Sequence, residues 1–207
     1  MTTLANLITY VSQDLRDSAN NTWSSSEVTD LINAGIDTLS DLKPFEKIDT
    51  TTISAGVKTY ALPSSLSLVY RVDVYTTSGS YSWTIPPAQG DGPNAGWEVH
   101  ASILHLPPSV NWTAGETLRL YGYGRYVQLA ASSSTTDLDT ALIWALRAWC
   151  KVEAFQQLIA DRVRYEQWQV SSANIDVTPI ALGQLWLSSR RRWEQEQQRL
   201  RRMRKLG

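Results

Sequence analysis

The sequence is poor in the residues that most often carry chemistry. In 207 residues it has one cysteine, two histidines, two methionines and two phenylalanines. The lone Cys150 excludes an internal disulfide. Its setting, Ala148-Trp149-Cys150-Lys151-Val152, marks a buried thiol suited to a reducing cytosol. His100 and His105 are the only imidazoles, and no Cys or carboxylate stands at a spacing that would complete a zinc site. Five residues apart on an extended segment, the two rings point to opposite faces and read as unrelated structural residues. Gly-x-Ser-x-Gly, phosphate-loop, paired-glycine nucleotide and HExxH patterns are all missing. The expectation is therefore a non-enzymatic chain with no cofactor and no metal site. No run of 18 apolar residues occurs, and Met1-Thr2-Thr3-Leu4 lacks the basic and apolar stretches of a secretory signal. A protein made in the cytoplasm and independent of membranes is expected.

Charge is also scarce, at 19% of residues against about 25% in an ordinary soluble domain. What replaces it is aromatic: nine Trp and nine Tyr, whose apolar bodies and polar edges suit surfaces that become buried, whether in the core or at an interface. The net charge of −1 hides a division. Residues 190–207 carry eight Arg or Lys against two Glu, a net of +6, which leaves −7 for residues 1–189. Such asymmetry points to an acidic partner for the tail, protein or nucleic acid.

Leu4, Leu7, Ile8, Val11 and Leu15 follow helical spacing and predict a first amphipathic helix ending near Asp17. Ser24 and Glu27 form a capping box, with Trp23 and Val28 in the staple positions, so a second helix begins at Ser25 and stops before Pro44. The two helices make a hairpin. From about Ile48 the period becomes two, predicting strands at 50–54, 58–62, 68–76, 80–85, 97–100, 103–106 and 117–126. Ala55-Gly56 is expected to join the first two as a hairpin. Tyr121-Gly122-Tyr123-Gly124 lacks the following helix of a phosphate site and reads as a strand whose glycines allow close packing or a bulge. The Pro/Gly-rich residues 86–96 predict an exposed loop.

After a polar linker at 132–136, a long helix is predicted, capped at Asp137 or a neighbouring Thr, with Asp139 favouring the same helix end. One stripe carries Leu138, Leu142, Ala145, Trp149, Val152, Gln156, Ile159 and Val163. A neighbouring face carries Trp144, Ala148, Phe155 and Leu158. Two apolar faces fit either a central helix covered by its own chain or a helix with a second face on a neighbouring subunit. Residues 174–179 break the pattern, and Pro179 suits the first turn of a last helix reaching Leu206. Its apolar stripe, Leu182, Trp186, Trp193, Leu200 and Met203, is sparse. Around it stand Arg190, Arg191, Arg192, Arg199, Arg201, Arg202, Arg204 and Lys205. So thin a stripe is expected not to hold the segment on its own body, leaving Trp193 and Leu200 for another macromolecule. The basic tail can bind DNA phosphates, end a solvated helix, or enter a protein groove. Tryptophan at seven-residue spacing favours the last.

The fold class expected is α+β. A helical body formed by the N-terminal hairpin (1–47) and a long helix (131–178) carries a β-rich insertion (48–130) and an extended basic tail (179–207). This order resembles the head-to-tail adaptor, or connector, proteins of tailed bacteriophages. The matching pieces are Trp23-Ser24-Ser25-Ser26-Glu27-Val28 leading into Leu31-Ile32-Asn33-Ala34-Gly35, Tyr60-Ala61-Leu62-Pro63 before Val69-Tyr70-Arg71-Val72, Ile103-Leu104-His105-Leu106-Pro107-Pro108, and Leu118-Arg119-Leu120-Tyr121-Gly122-Tyr123 before the long helix. They span most of residues 1–170. The resemblance implies a structural virion protein of the head–tail neck, a homo-oligomeric ring usually of twelve copies. Such a ring lies under the portal protein, passes genomic DNA without sequence specificity and meets a tail or neck protein on the far side. It also implies that the C-terminal segment docks on the portal, which would give residues 186–205 their partner. The Pro/Gly loop is a candidate for the tail-side contact, and Trp144, Ala148, Phe155 and Leu158 for the contact between subunits.

Overall fold

In the computed structural model, residues 2–88, 96–108, 110, 112–171 and 174–206 are described, without the side chains of 171 and 203–206. The chain is α+β and divides into two compact units: a helical unit of residues 1–43 and 126–207, and a β unit of residues 44–125.

The helical unit begins with α1 (Leu4–Asp14) and α2 (Ser25–Leu42). Thr3 caps α1 by accepting the Asn6 N–H. The capping box on α2 is complete: the Ser24 hydroxyl accepts the Glu27 N–H, and the Glu27 carboxylate accepts the Ser24 N–H at 2.8 Å. This reciprocal pair satisfies two orphan donors, and losing such a cap typically costs about 1 kcal/mol. Both staple residues, Trp23 and Val28, are buried. Between the helices the buried carboxylate of Asp17 accepts the backbone N–H groups of Asn21, Thr22 and Trp23, each at 3.0 Å, and so closes the turn.

The single long helix expected after residue 137 is two. Helix α3 (Thr140–Ala160) is capped by Asp139, which accepts the Leu142 N–H, and α4 (Arg162–Ser171) follows a break at Asp161. The cause is local. Asp161 is extended, and its carboxylate accepts the N–H groups of Val163 and Arg164, acting as the cap of the next helix. Helix α4 is held by its Trp168, whose indole N–H donates to the Leu15 carbonyl, and by the 2.7 Å ion pair of Arg164 with Glu27. Helix α5 (Pro179–Leu206) completes the unit.

Helix α3 packs against α1, α2, α4 and α5. The crossing with α2 is close because residue 35 is glycine. A Cβ there would lie 2.4 Å from Leu146 Cδ1 and 2.8 Å from Trp149 Cε3. Cys150 is fully buried in this region.

The β unit holds seven strands in two sheets. In the first, β1 (Phe45–Thr52), β7 (Thr117–Gly124), β3 (Leu68–Tyr75) and β4 (Tyr81–Ile85) lie in the order β1-β7-β3-β4, all antiparallel. In the second, β2 (Thr59–Ala61), β6 (Ile103–His105) and β5 (Glu98–His100) lie in the order β2-β6-β5. Residues of both sheets enclose one core that includes Ile53, Val72, Ile85, Leu104, Leu118 and Leu120. Two expectations change here. The first strand starts at Phe45 rather than residue 50. It also pairs with β7 and not with β2, so Gly56, at φ 75°, makes a turn between sheets and no hairpin. Of the expected loop at 86–96, residues 89–95 lie outside the described residues. Its flanks are tied by Trp97 N–H to the Pro86 carbonyl and Ala88 N–H to the Trp97 carbonyl, both at 2.9 Å.

The glycines of β7 allow close approach: a Cβ on Gly122 would lie 2.2 Å from the Leu68 carbonyl oxygen, and one on Gly124 2.0 Å from that of Ser65. Opposite Gly122 the register of β3 shifts between Val69 and Arg71. That bulge leaves Tyr70 and Arg71, adjacent in sequence, both outside the core.

Candidate interface on the C-terminal helix

Helix α5 presents two opposite faces. One carries Leu182, Trp186, Ser189, Trp193 and Leu200, at spacings of four, three, four and seven. Leu182, Ser189, Trp193 and Leu200 are buried, Leu200 completely, and Trp186 is half-buried. This face packs on α3. The contact is fixed by Arg199, whose guanidinium donates to the Ala141 carbonyl at 3.0 Å and pairs with Glu196 at 2.6 Å. The expectation that this stripe is too thin for its own body is thereby overturned. Burying Leu182, Trp193 and Leu200 contributes on the order of 5–8 kcal/mol by area. That is enough to seat a helix whose remaining surface stays in water.

The opposite face runs Ile180, Gln184, Leu187, Arg191, Gln195, Gln198 and Arg202, at spacings of three or four, and every one of these residues is exposed. Arg190, Glu194 and Arg201 flank it, also exposed. Its first half is apolar, with Ile180 at 78% and Leu187 at 47% exposure, and its second half is cationic. Arg190 pairs with Glu194 at 3.1 Å and stacks over Trp186. Among the described residues, no carboxylate lies within ion-pair distance of Arg191, Arg192, Arg201 or Arg202.

Of the residues expected to reach the portal, the structure thus leaves Arg190, Arg191, Arg192, Arg201 and Arg202 exposed and Trp186 half-exposed. It buries Trp193 and Leu200 and turns Arg199 inward. The side chains of Met203, Arg204 and Lys205 lie outside the described residues. On α3, Ala148, Phe155 and Leu158 are buried by their own chain under the helices packed around α3, while the expected stripe is exposed at its far end, at Ile159 and, beyond the break, Val163. Of the four residues expected between subunits, only Trp144 is open. Arg147 lies 4.6 Å and Arg192 5.9 Å from its ring, and Arg147 also faces Tyr10 and pairs with Asp14 at 2.7 Å. This aromatic–arginine cluster joins α1, α3 and α5.

A second exposed surface escaped the sequence reading. By register, the outer face of the four-stranded sheet gathers Ile48, Leu68, Arg71, Tyr75, Tyr81, Arg119, Tyr121 and Tyr123, with the bulged Tyr70 beside them. Arg119 stacks 3.9 Å from the Tyr75 ring and Arg71 5.0 Å from Tyr121. Tyr70 donates to Glu46, which pushes its phenol up to about 12. On the same face the buried Asp73 carboxylate accepts from Arg71 at 2.9 Å and Thr84 at 2.6 Å. The strict alternation of β7, with Arg119, Tyr121 and Tyr123 on one side and Leu118 and Leu120 on the other, was the signal available in the sequence.

Among the described residues no group of three metal-ligating side chains occurs, and no helix is long and apolar enough to cross a membrane. Comparison with protein families gives one description: the model of the SU10 adaptor protein family matches residues 2–200. The chain belongs to the SU10 adaptor protein family. This is a family of phage head–tail adaptors, structural proteins of the virion neck, and the match takes in both units and most of α5. No curated protein matches the chain. The family assignment places the α5 face on an SU10-type adaptor, a protein whose role is to be held between other virion components.

Proposed function

We propose that the protein is a non-enzymatic link between capsid and tail, assembled as a ring of twelve copies under the portal and extending the channel through which the genome passes. What carries the reading is the outward face of α5 in a chain matched to an adaptor family over residues 2–200. A folded helix that leaves Ile180 and Leu187 in water on the face away from its own core has apolar contacts to give to another protein. We assign the portal contact to that apolar half, with Trp186 and Arg190 at its margin. A closed ring needs two different faces per copy, and exposed Trp144 is the candidate for the contact between copies. The far side of the ring meets a tail or neck protein.

Native mass spectrometry of the chain mixed with its portal tests this. A closed oligomer of defined stoichiometry on the portal is the expected species. Monomers alone, with portal present, would overturn the reading. Ile180→Asp with Leu187→Asp is expected to abolish the complex while leaving the circular dichroism spectrum unchanged, because neither side chain contributes to the core.

A further inference from the structure

The portal contact leaves the second half of the outward α5 face without a role. From Arg190 to Arg202, among the described residues, this face shows Arg190, Arg191, Gln195, Gln198, Arg201 and Arg202 and no apolar side chain, because Trp193 and Leu200 are turned into the contact with α3. Protein-docking faces draw most of their binding energy from buried apolar or aromatic anchors ringed by polar residues. Here the ring exists without its centre. Attraction must then be electrostatic, and the ligand anionic.

The spacing is informative. Arg190 and Arg191 stand eleven residues before Arg201 and Arg202. Eleven residues make three turns and about 20° more, so the two pairs share one line on the helix, about 16 Å apart. That distance is close to the span between phosphates across a major groove with an opening of ~12 Å. Between the pairs, Gln195 and Gln198 add amide donors without adding charge, and side-chain amides are among the groups that donate to phosphate oxygens. Of the two carboxylates in this stretch, Glu194 is paired with Arg190 at 3.1 Å and Glu196 with Arg199 at 2.6 Å.

We propose that this half of α5 is a sequence-independent contact for the phosphate backbone of duplex DNA, the polyanion that the adaptor reading brings past the protein. The inference rests on that reading for where the DNA is met and on the charge and spacing of α5 for the contact itself.

The test is fluorescence anisotropy of the full chain with a 30-base-pair duplex at salt concentrations from 50 to 200 mM, compared with an Arg191→Gln, Arg201→Gln, Arg202→Gln variant. Removing three phosphate contacts reduces the slope of log affinity against log salt by about 2.7, or roughly 40-fold in affinity change over that range. The variant is expected to keep its portal complex in native mass spectrometry, which separates this inference from the adaptor reading. Equal slopes for the two proteins, or duplex displaced as well by polyglutamate as by unlabelled duplex, would overturn it; the second result would give these arginines an acidic protein partner. Loss of the portal complex in the variant would also overturn it, returning the arginines to the portal.

Discussion

Truncating Leu200 tests whether α5 is seated on α3 in the free chain. Leu200 is fully buried on the inward face, beside Trp193 and one residue from the Arg199 anchor on the Ala141 carbonyl. A buried Leu→Ala change costs 2–5 kcal/mol, and about 3 kcal/mol is expected here because the site lies near the helix end, where neighbours can partly close in. Three side chains supply the docking energy of α5, on the order of 5–8 kcal/mol. Losing about 3 kcal/mol therefore loosens the helix locally before it unfolds the unit. Hydrogen exchange read by mass spectrometry follows this directly. At tenfold per 1.4 kcal/mol, amides of the last three turns of α5 should exchange about 100-fold faster in Leu200→Ala, while those of α2 stay as they were. Arg191→Ala, on the outward face, should change exchange by less than threefold. If Leu200→Ala leaves the α5 amides unchanged, the helix is not docked as described, and the separation of its two faces falls.

Three further outcomes follow from the packing. Asp17→Ala leaves three backbone N–H groups without their acceptor and should cost about 3 kcal/mol in urea unfolding, an effect under 1 kcal/mol contradicting the clamp. In the β unit, burial pushes the Asp73 carboxyl up, but hydrogen bonds from Arg71 and Thr84 outweigh it and hold the group below the usual aspartate range. Its contribution is thus present above the ordinary value near 3.9 and is lost as pH falls through the lower folded value. Wild-type stability should fall more steeply below pH 4 than that of Asp73→Asn, which is less stable at pH 7; parallel curves would refute the assignment. Burial pushes the Cys150 thiol well up, so Ellman's reagent at pH 8 should leave it unreacted in the native protein and label it fully in guanidinium, whereas prompt native labelling would contradict its place against α2.

Local signals were the legible part of this fold. The capping box at Ser24 and Glu27 set the start of α2, and alternation marked the seven strands, because both depend on residues within a few positions of one another. Partner choice was not legible. The turn at Gly56 suggested a hairpin, yet the eight residues of β1 gain a longer partner in β7, some seventy positions away. Asp161 falls inside the stretch expected to be one long helix, and only its carboxylate on Val163 and Arg164 reveals a helix start. The candidate site shows the same limit. Two apolar faces on α3 and a thin stripe on α5 were both visible, but not that they answer each other, since the match between them is one of shape between two helices separated in sequence by α4. The bulge that turns both Tyr70 and Arg71 outward likewise arises from the Gly122 approach, which no single strand displays alone.

The proposed function puts the protein in one place, a ring at the neck between portal and tail. Electron microscopy of purified particles bearing an antibody against this chain tests it most directly. Label is expected as a collar at the head–tail junction of every tailed particle, and label along the tail, over the capsid faces or on no particle at all would contradict that place.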